Sequence, residues 1–132
     1  MATFTQSTTT ISPLCSPEMQ LLTPLKIIKK NWEEELKLIN RVGRMLQEQG
    51  RLEKAEVLFR RALEGNERVF GVDHPSTLIS VNNLGSLLYK QGKLEEAEVL
   101  LRRAFEGFER VLGSDHPDTQ NAAAGLKIIT GA

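Results

Sequence analysis

The sequence predicts an all-α fold, built from a duplicated pair of antiparallel helices followed by a single closing helix. Three observations predict it. Shifted by 42 residues, the chain falls on itself: residues 40–77 and 82–119 agree at 24 of 38 positions without a gap, which marks a repeated unit. Within each unit apolar residues recur at three- and four-residue spacing, the mark of one buried helical face. Between these runs stand Gln-Gly turns and the tripeptide Asp-His-Pro, which stop one helix and start the next.

In chain order, the first helix is expected to start with Thr23 as cap and Pro24 at its first position, where a missing N–H costs nothing. Leu25, Ile28, Trp32, Leu36, Ile39, Val42 and Leu46 carry its periodic face to about Gln49. A turn at Gly50 leads to a second helix with Leu52, Ala55, Leu58, Phe59, Ala62, Leu63, Val69 and Phe70 on its apolar side. Asp73-His74-Pro75 opens the third, whose face is Val81, Leu84, Gly85 and Leu88. Gly92 ends it in a Gln91-Gly92-Lys93 turn. The fourth holds Leu94, Ala97, Leu100, Leu101, Ala104, Phe105, Phe108, Val111 and Leu112, and should stop at Gly113. Asp115-His116-Pro117 starts the last, in which Lys127 falls at the register of Gly43 and Gly85. A buried lysine there would need a charge partner, so this helix should close the stack.

Glycine inside a helix costs about 1 kcal/mol relative to alanine, so Gly43 and Gly85 need a packing reason. With Ala55 and Ala97 they let the two helices of a pair approach closely, because interaxial distance follows the contact side chains. Gly65 and Gly107 are expected to serve where neighbouring units stack. One departure from the repeat is conspicuous: Asn66 stands where the second unit has Phe108.

The small-residue pattern resembles the tetratricopeptide repeat. The residues that carry the likeness are Asn82-Asn83-Leu84-Gly85, Gln91-Gly92-Lys93-Leu94-Glu95-Glu96-Ala97-Glu98, Arg103-Ala104 and Asp115-His116-Pro117. The 42-residue period and the Asp-His-Pro-x-Thr junction look like the kinesin light chain variety of that repeat. The resemblance covers roughly residues 36–126. It implies an α-solenoid of stacked antiparallel helix pairs, here about two repeats plus a terminal capping helix, that binds peptides or protein surfaces as an adaptor or scaffold.

Residues 1–23 lie outside the repeat. They are rich in Ser and Thr, carry Pro13 and Pro17, and hold one charged side chain, Glu18. Such a segment buries too little apolar surface to offset its ordering entropy, so a disordered tail is expected, with the repeat domain over 24–132. A transit peptide is the alternative, although the arginines such peptides favour are missing.

Lys+Arg and Asp+Glu both number 17. A neutral chain lacks the net basic surface that nucleic acid or an anionic membrane demands, and neither is expected as partner. One cysteine, Cys15, excludes an internal disulfide and fits a reducing, cytoplasmic setting. His74 and His116 have no Cys or further His to complete a zinc site and are read as junction caps. Glu33-Glu34-Glu35 and Glu95-Glu96 read as solvated helix carboxylates. Arg60-Arg61 and Arg102-Arg103 should form local ion pairs with Glu64 and Glu106. No phosphate loop or nucleophile set is present, so neither enzyme activity nor a cofactor is expected.

Function is therefore sought on the surface. The first helices of successive units should line a concave wall. The residues there that are not committed to the helix-pair core are Lys37, Asn40, Arg44 and Gln47, then Asn82, Ser86, Tyr89 and Lys90. By family resemblance these form a peptide-binding groove. Asn40 and Asn82 hold one position in both units, where an amide donates to and accepts from a peptide backbone at once. Tyr89 is an anchor for a ligand side chain, and the cations favour a partner with acidic residues. The alternative function is structural: a self-associating solenoid, or a fragment of a longer array.

Overall fold

The computed structural model describes residues 17–131, with side chains from Asn31 onward. Its described residues form five helices and no strand: α1 (Pro17–Glu48), α2 (Leu52–Phe70), α3 (Pro75–Lys90), α4 (Leu94–Leu112) and α5 (Pro117–Thr130). The expected tail falls on residues outside the description as far as Ser16; from Pro17 the backbone is helical. The helix start is thus earlier than the Thr23-Pro24 signal. Ser16-Pro17 offers the same hydroxyl-proline beginning. The helix then runs through Pro24, forgoing the one bond its missing N–H would make to the Gln20 carbonyl. By its contacts the chain divides between Glu33 and Glu34, inside α1; the packing below is that of residues 34–131.

The expected turns are present. Gly50 and Gly92 have φ of 82° and 85°, the left-handed region where glycine carries no side-chain penalty. The N–H of Arg51 reaches back to the Leu46 carbonyl at 2.8 Å, and that of Lys93 to Leu88 at 2.9 Å, closing α1 and α3 with a six-to-one bond. The histidines cap the helices that follow. His74 Nδ1 accepts from the Ser76 N–H at 3.0 Å, and His116 Nδ1 from the Asp118 N–H at 3.1 Å. The His74 ring also stacks on Phe70, with centroids 4.6 Å apart.

The glycines report how the pairs are built. A Cβ on Gly43 would lie 2.6 Å from Phe59, and one on Gly65 would lie 2.7 Å from Leu36. Residue numbers rise along α1 as they fall along α2, so the two run antiparallel. Gly85 against Leu101 and Gly107 against Leu78 repeat the arrangement in α3 and α4. Gly65 and Gly107 therefore serve contacts within a pair, not the stacking between units that the sequence suggested. Each sits on the second helix opposite a leucine of the first, and the two leucines, Leu36 and Leu78, are 42 residues apart in the repeat.

Between the pairs run two apolar clusters. One joins Ala55 and Phe59 of α2 to Leu84, Leu87 and Leu88 of α3 and Ala97 of α4. The other joins Leu78 and Val81 of α3 to Ala104 and Phe108 of α4 and Ala122 of α5. α2 and α4 form the outer layer and run parallel, linked by ion pairs. Arg60 meets Glu96 at 2.9 Å, Lys93 meets Glu56 at 3.4 Å, Arg103 meets Glu67 at 2.8 Å, and Arg110 meets Asp73 at 2.8 Å. Of the doubled arginines Arg60, Arg102 and Arg103 form ion pairs, though with other partners than Glu64 and Glu106. Arg60 and Arg102 each reach back one turn, to Glu56 and Glu98, and Glu64 takes Arg68.

Four residues expected on the apolar faces are exposed: Trp32, Val42, Leu94 and Val111. Val42 corresponds to Leu84, which is covered by the preceding pair through α2. Among the described residues no such pair lies on that side of α1. In α5, Lys127 is exposed, with Gln120 and Thr130 beside it where α3 has Leu78 and Leu88. That polar face is suited to solvent rather than to a further helix.

Candidate functional site

α1, α3 and α5 lie side by side, and together they line a groove of about 450 Å³. α1 supplies Arg44 and Gln47; α3 supplies Ile79, Asn82, Asn83 and Ser86; α5 supplies Asp118 and Asn121; Phe108 of α4 forms the floor. Of the residues the sequence put on this wall, Arg44, Gln47, Asn82 and Ser86 line it. Lys37, Asn40, Tyr89 and Lys90 lie outside the lining. Lys37, Tyr89 and Lys90 are solvent-exposed on α1 and on the last turn of α3.

The two asparagines that the repeat makes equivalent have different surroundings. Asn40 Nδ2 donates to Ser80 Oγ at 3.2 Å, and its Oδ1 accepts from Asn83 Nδ2 at 3.5 Å. Ser80 Oγ also accepts from the buried Asn66 Nδ2 at 2.8 Å, which donates as well to the Ala62 carbonyl at 2.9 Å. Asn40 thus belongs to a polar junction between the units. One unit later the counterpart of Ser80 is Ala122 and that of Asn83 is Gly125. Asn82 therefore finds neither hydroxyl nor amide there. Its Oδ1 is buried and without a hydrogen-bond partner.

Four amides converge on the groove: Gln47, Asn82, Asn83 and Asn121. Gln47 and Asn121 each carry both a donor and an acceptor, whereas Asn82 has its Oδ1 buried and Asn83 gives its Nδ2 to Asn40. The charges are placed at opposite sides, Arg44 on α1 and Asp118 on α5. The Asp118 carboxylate lies 3.9 Å from His116 Nδ1, and that nitrogen accepts the Asp118 N–H. Among the described residues no three His, Cys, Asp or Glu are grouped to hold a metal ion, and no helix is long and apolar enough to cross a membrane.

Sequence reasoning missed Ile79, Asn83, Phe108, Asp118 and Asn121. Carrying the repeat onward from Lys37 would have found part of the set, since Ile79 and Asn121 are its counterparts; Asp118, the counterpart of Ser76 and Glu34, had no such lead. Phe108 gave no such signal, being a core residue that reaches the groove only from beneath. A family model described as tetratricopeptide repeat matches residues 34–110 and again 79–129. No curated protein matches the chain.

Proposed function

The chain belongs to the tetratricopeptide repeat family, whose repeats are generally protein-interaction modules, and from that premise we propose that it is a non-catalytic adaptor or scaffold binding a peptide segment of a partner protein in the groove of α1, α3 and α5. The binding would be similar to that of the kinesin light chain repeats the sequence resembles. A cytoplasmic setting accords with the lone cysteine.

The observation that carries the reading is the convergence of four amides, Gln47, Asn82, Asn83 and Asn121, on one groove. Asn82 Oδ1 is itself buried, so this amide meets a peptide carbonyl through its Nδ2 donor. Arg44 is the cation of the lining that meets an acidic residue of the ligand. Each polar contact contributes about 1 kcal/mol net, so micromolar affinity takes about eight such contacts or their equivalent in apolar burial. The test is a random decapeptide library displayed on phage and selected on the full chain. Enriched peptides should lose about fivefold in affinity with Asn82→Ala or Ser86→Ala, and nothing with Glu95→Ala on the outer layer, all at unchanged Tm. Loss on the outer-layer change alone moves the site off the groove.

A second reading is a structural role through self-association. Leu38, Val42 and Met45 are 53%, 37% and 55% exposed along one stripe of α1, whereas their counterparts Ser80, Leu84 and Leu87 are buried. Light scattering over a concentration series decides it. A monomer mass throughout removes this reading, and a rising mass abolished by Met45→Glu supports it.

A further inference from the structure

Resting on that groove reading, we infer that the segment it takes is bipolar, with an acidic side chain over α1 and a basic one over α5. The charges of the lining dictate it. Arg44 faces the groove from α1 and forms no ion pair with any of the described residues. Asp118 faces it from the first turn of α5, with no Lys or Arg among its ion-pair partners in the described residues and only His116 Nδ1, the acceptor of a backbone N–H, at 3.9 Å. The two sit at opposite edges with α3 between them, so they do not neutralise one another.

The outer layer behaves differently. There Arg60, Lys93, Arg103 and Arg110 are each matched by a carboxylate. Arg44 and Asp118 are thus charges left for a ligand on the face where the amides converge. A net charge of zero hides this, because one cation and one anion cancel in the sum while remaining apart in space.

The spacing follows from helix packing. Neighbouring helices lie roughly 8–10 Å apart, so two steps from α1 to α5 span about 16–20 Å. Arg44 has the register of Ile128, about 15 Å along the axis from Asp118. At about 3.3–3.6 Å per residue of extended chain, the two ligand charges lie about six to eight residues apart. Between them the peptide crosses α3, where Asn82 and Asn83 meet its main chain and the exposed Ile79 offers contact to one apolar side chain.

The experiment is the display selection on the full chain, read for charge pattern. Enriched decapeptides are expected to carry one Asp or Glu and one Lys or Arg about six to eight positions apart. A synthetic peptide of that pattern should bind about threefold to tenfold tighter than its isomer with both charges acidic. Asp118→Asn should remove the preference for the basic residue and leave that for the acidic one; Arg44→Gln should do the reverse. Circular dichroism confirms that the variants fold. Enriched peptides carrying one sign of charge, or none, overturn this inference while the groove reading stands. Enriched peptides that are insensitive to Asn82→Ala, or no enrichment at all, overturn both.

Discussion

Gly107 and Gly125 are both helical glycines, yet alanine should act on them with opposite sign. A Cβ on Gly107 would lie 2.5 Å from Leu78 Cδ2 and 2.9 Å from Cδ1, and Leu78 is fully buried. Overpacking of that kind costs about 1–3 kcal/mol, against about 1 kcal/mol of helix propensity gained. Gly107→Ala should therefore be neutral to about 2 kcal/mol destabilising in urea titration. At Gly125 the nearest atom is Leu101 Cδ2 at 3.7 Å, an ordinary contact, so alanine there should stabilise by up to about 1 kcal/mol. Equal effects at the two sites would mean that pair spacing is not set by these glycines. At this scale the sequence was legible where the repeat enforced a role: Gly43, Gly85 and both capping histidines stand as read. It was illegible where a side chain's partner lies a unit away. Nothing local to Asn40 and Asn82 tells that Ser80 engages the first while Ala122 leaves the second free.

The helices themselves were well marked, because glycine turns and Asp-His-Pro junctions fix their ends by backbone chemistry; only the start of α1 was misplaced, where two prolines each offered a beginning. Less visible was how one pair meets the next. The junction from α2 to α3 is polar, Asn66 on Ser80; the corresponding junction from α4 to α5 places Phe108 and Ala122 in one apolar cluster. The two exchange a large side chain against a small one in step, which makes them strongly coupled. Ser80→Ala alone should cost about 1–3 kcal/mol by stranding the buried Asn66 amide, and Asn66→Phe alone about as much by crowding. The double variant carries the Phe108–Ala122 pair and should recover most of both losses. A double-mutant cycle returning simple additivity would show that the residues do not share one space.

For the molecule as a whole, the outer ion pairs make stability depend on acid. Burial pushes the Glu56 carboxyl upward, but hydrogen bonds from Arg60, Gln91 and Lys93 together outweigh it and hold the carboxyl below its ordinary value of 4.5. A group lowered in the folded state stabilises above its unfolded pKa and loses that contribution as pH falls through the folded one. Thermal melts should therefore show Tm dropping below pH 4.5, with Glu56→Gln flattening part of that drop. An unchanged acid limb in the variant would assign it to other carboxylates. The unlike junctions have a further consequence, for the search that ends in this fold. Near-copies invite wrong partners: α2 could settle on α5 and loop out the pair between them, or two chains could exchange a unit. Asn66 laid against Ala122 would have no hydroxyl to receive its amide, and Phe108 laid against Ser80 would press on a buried hydroxyl. Each mismatch is penalised where it occurs, so the units carry in their contact faces the order in which they must be assembled.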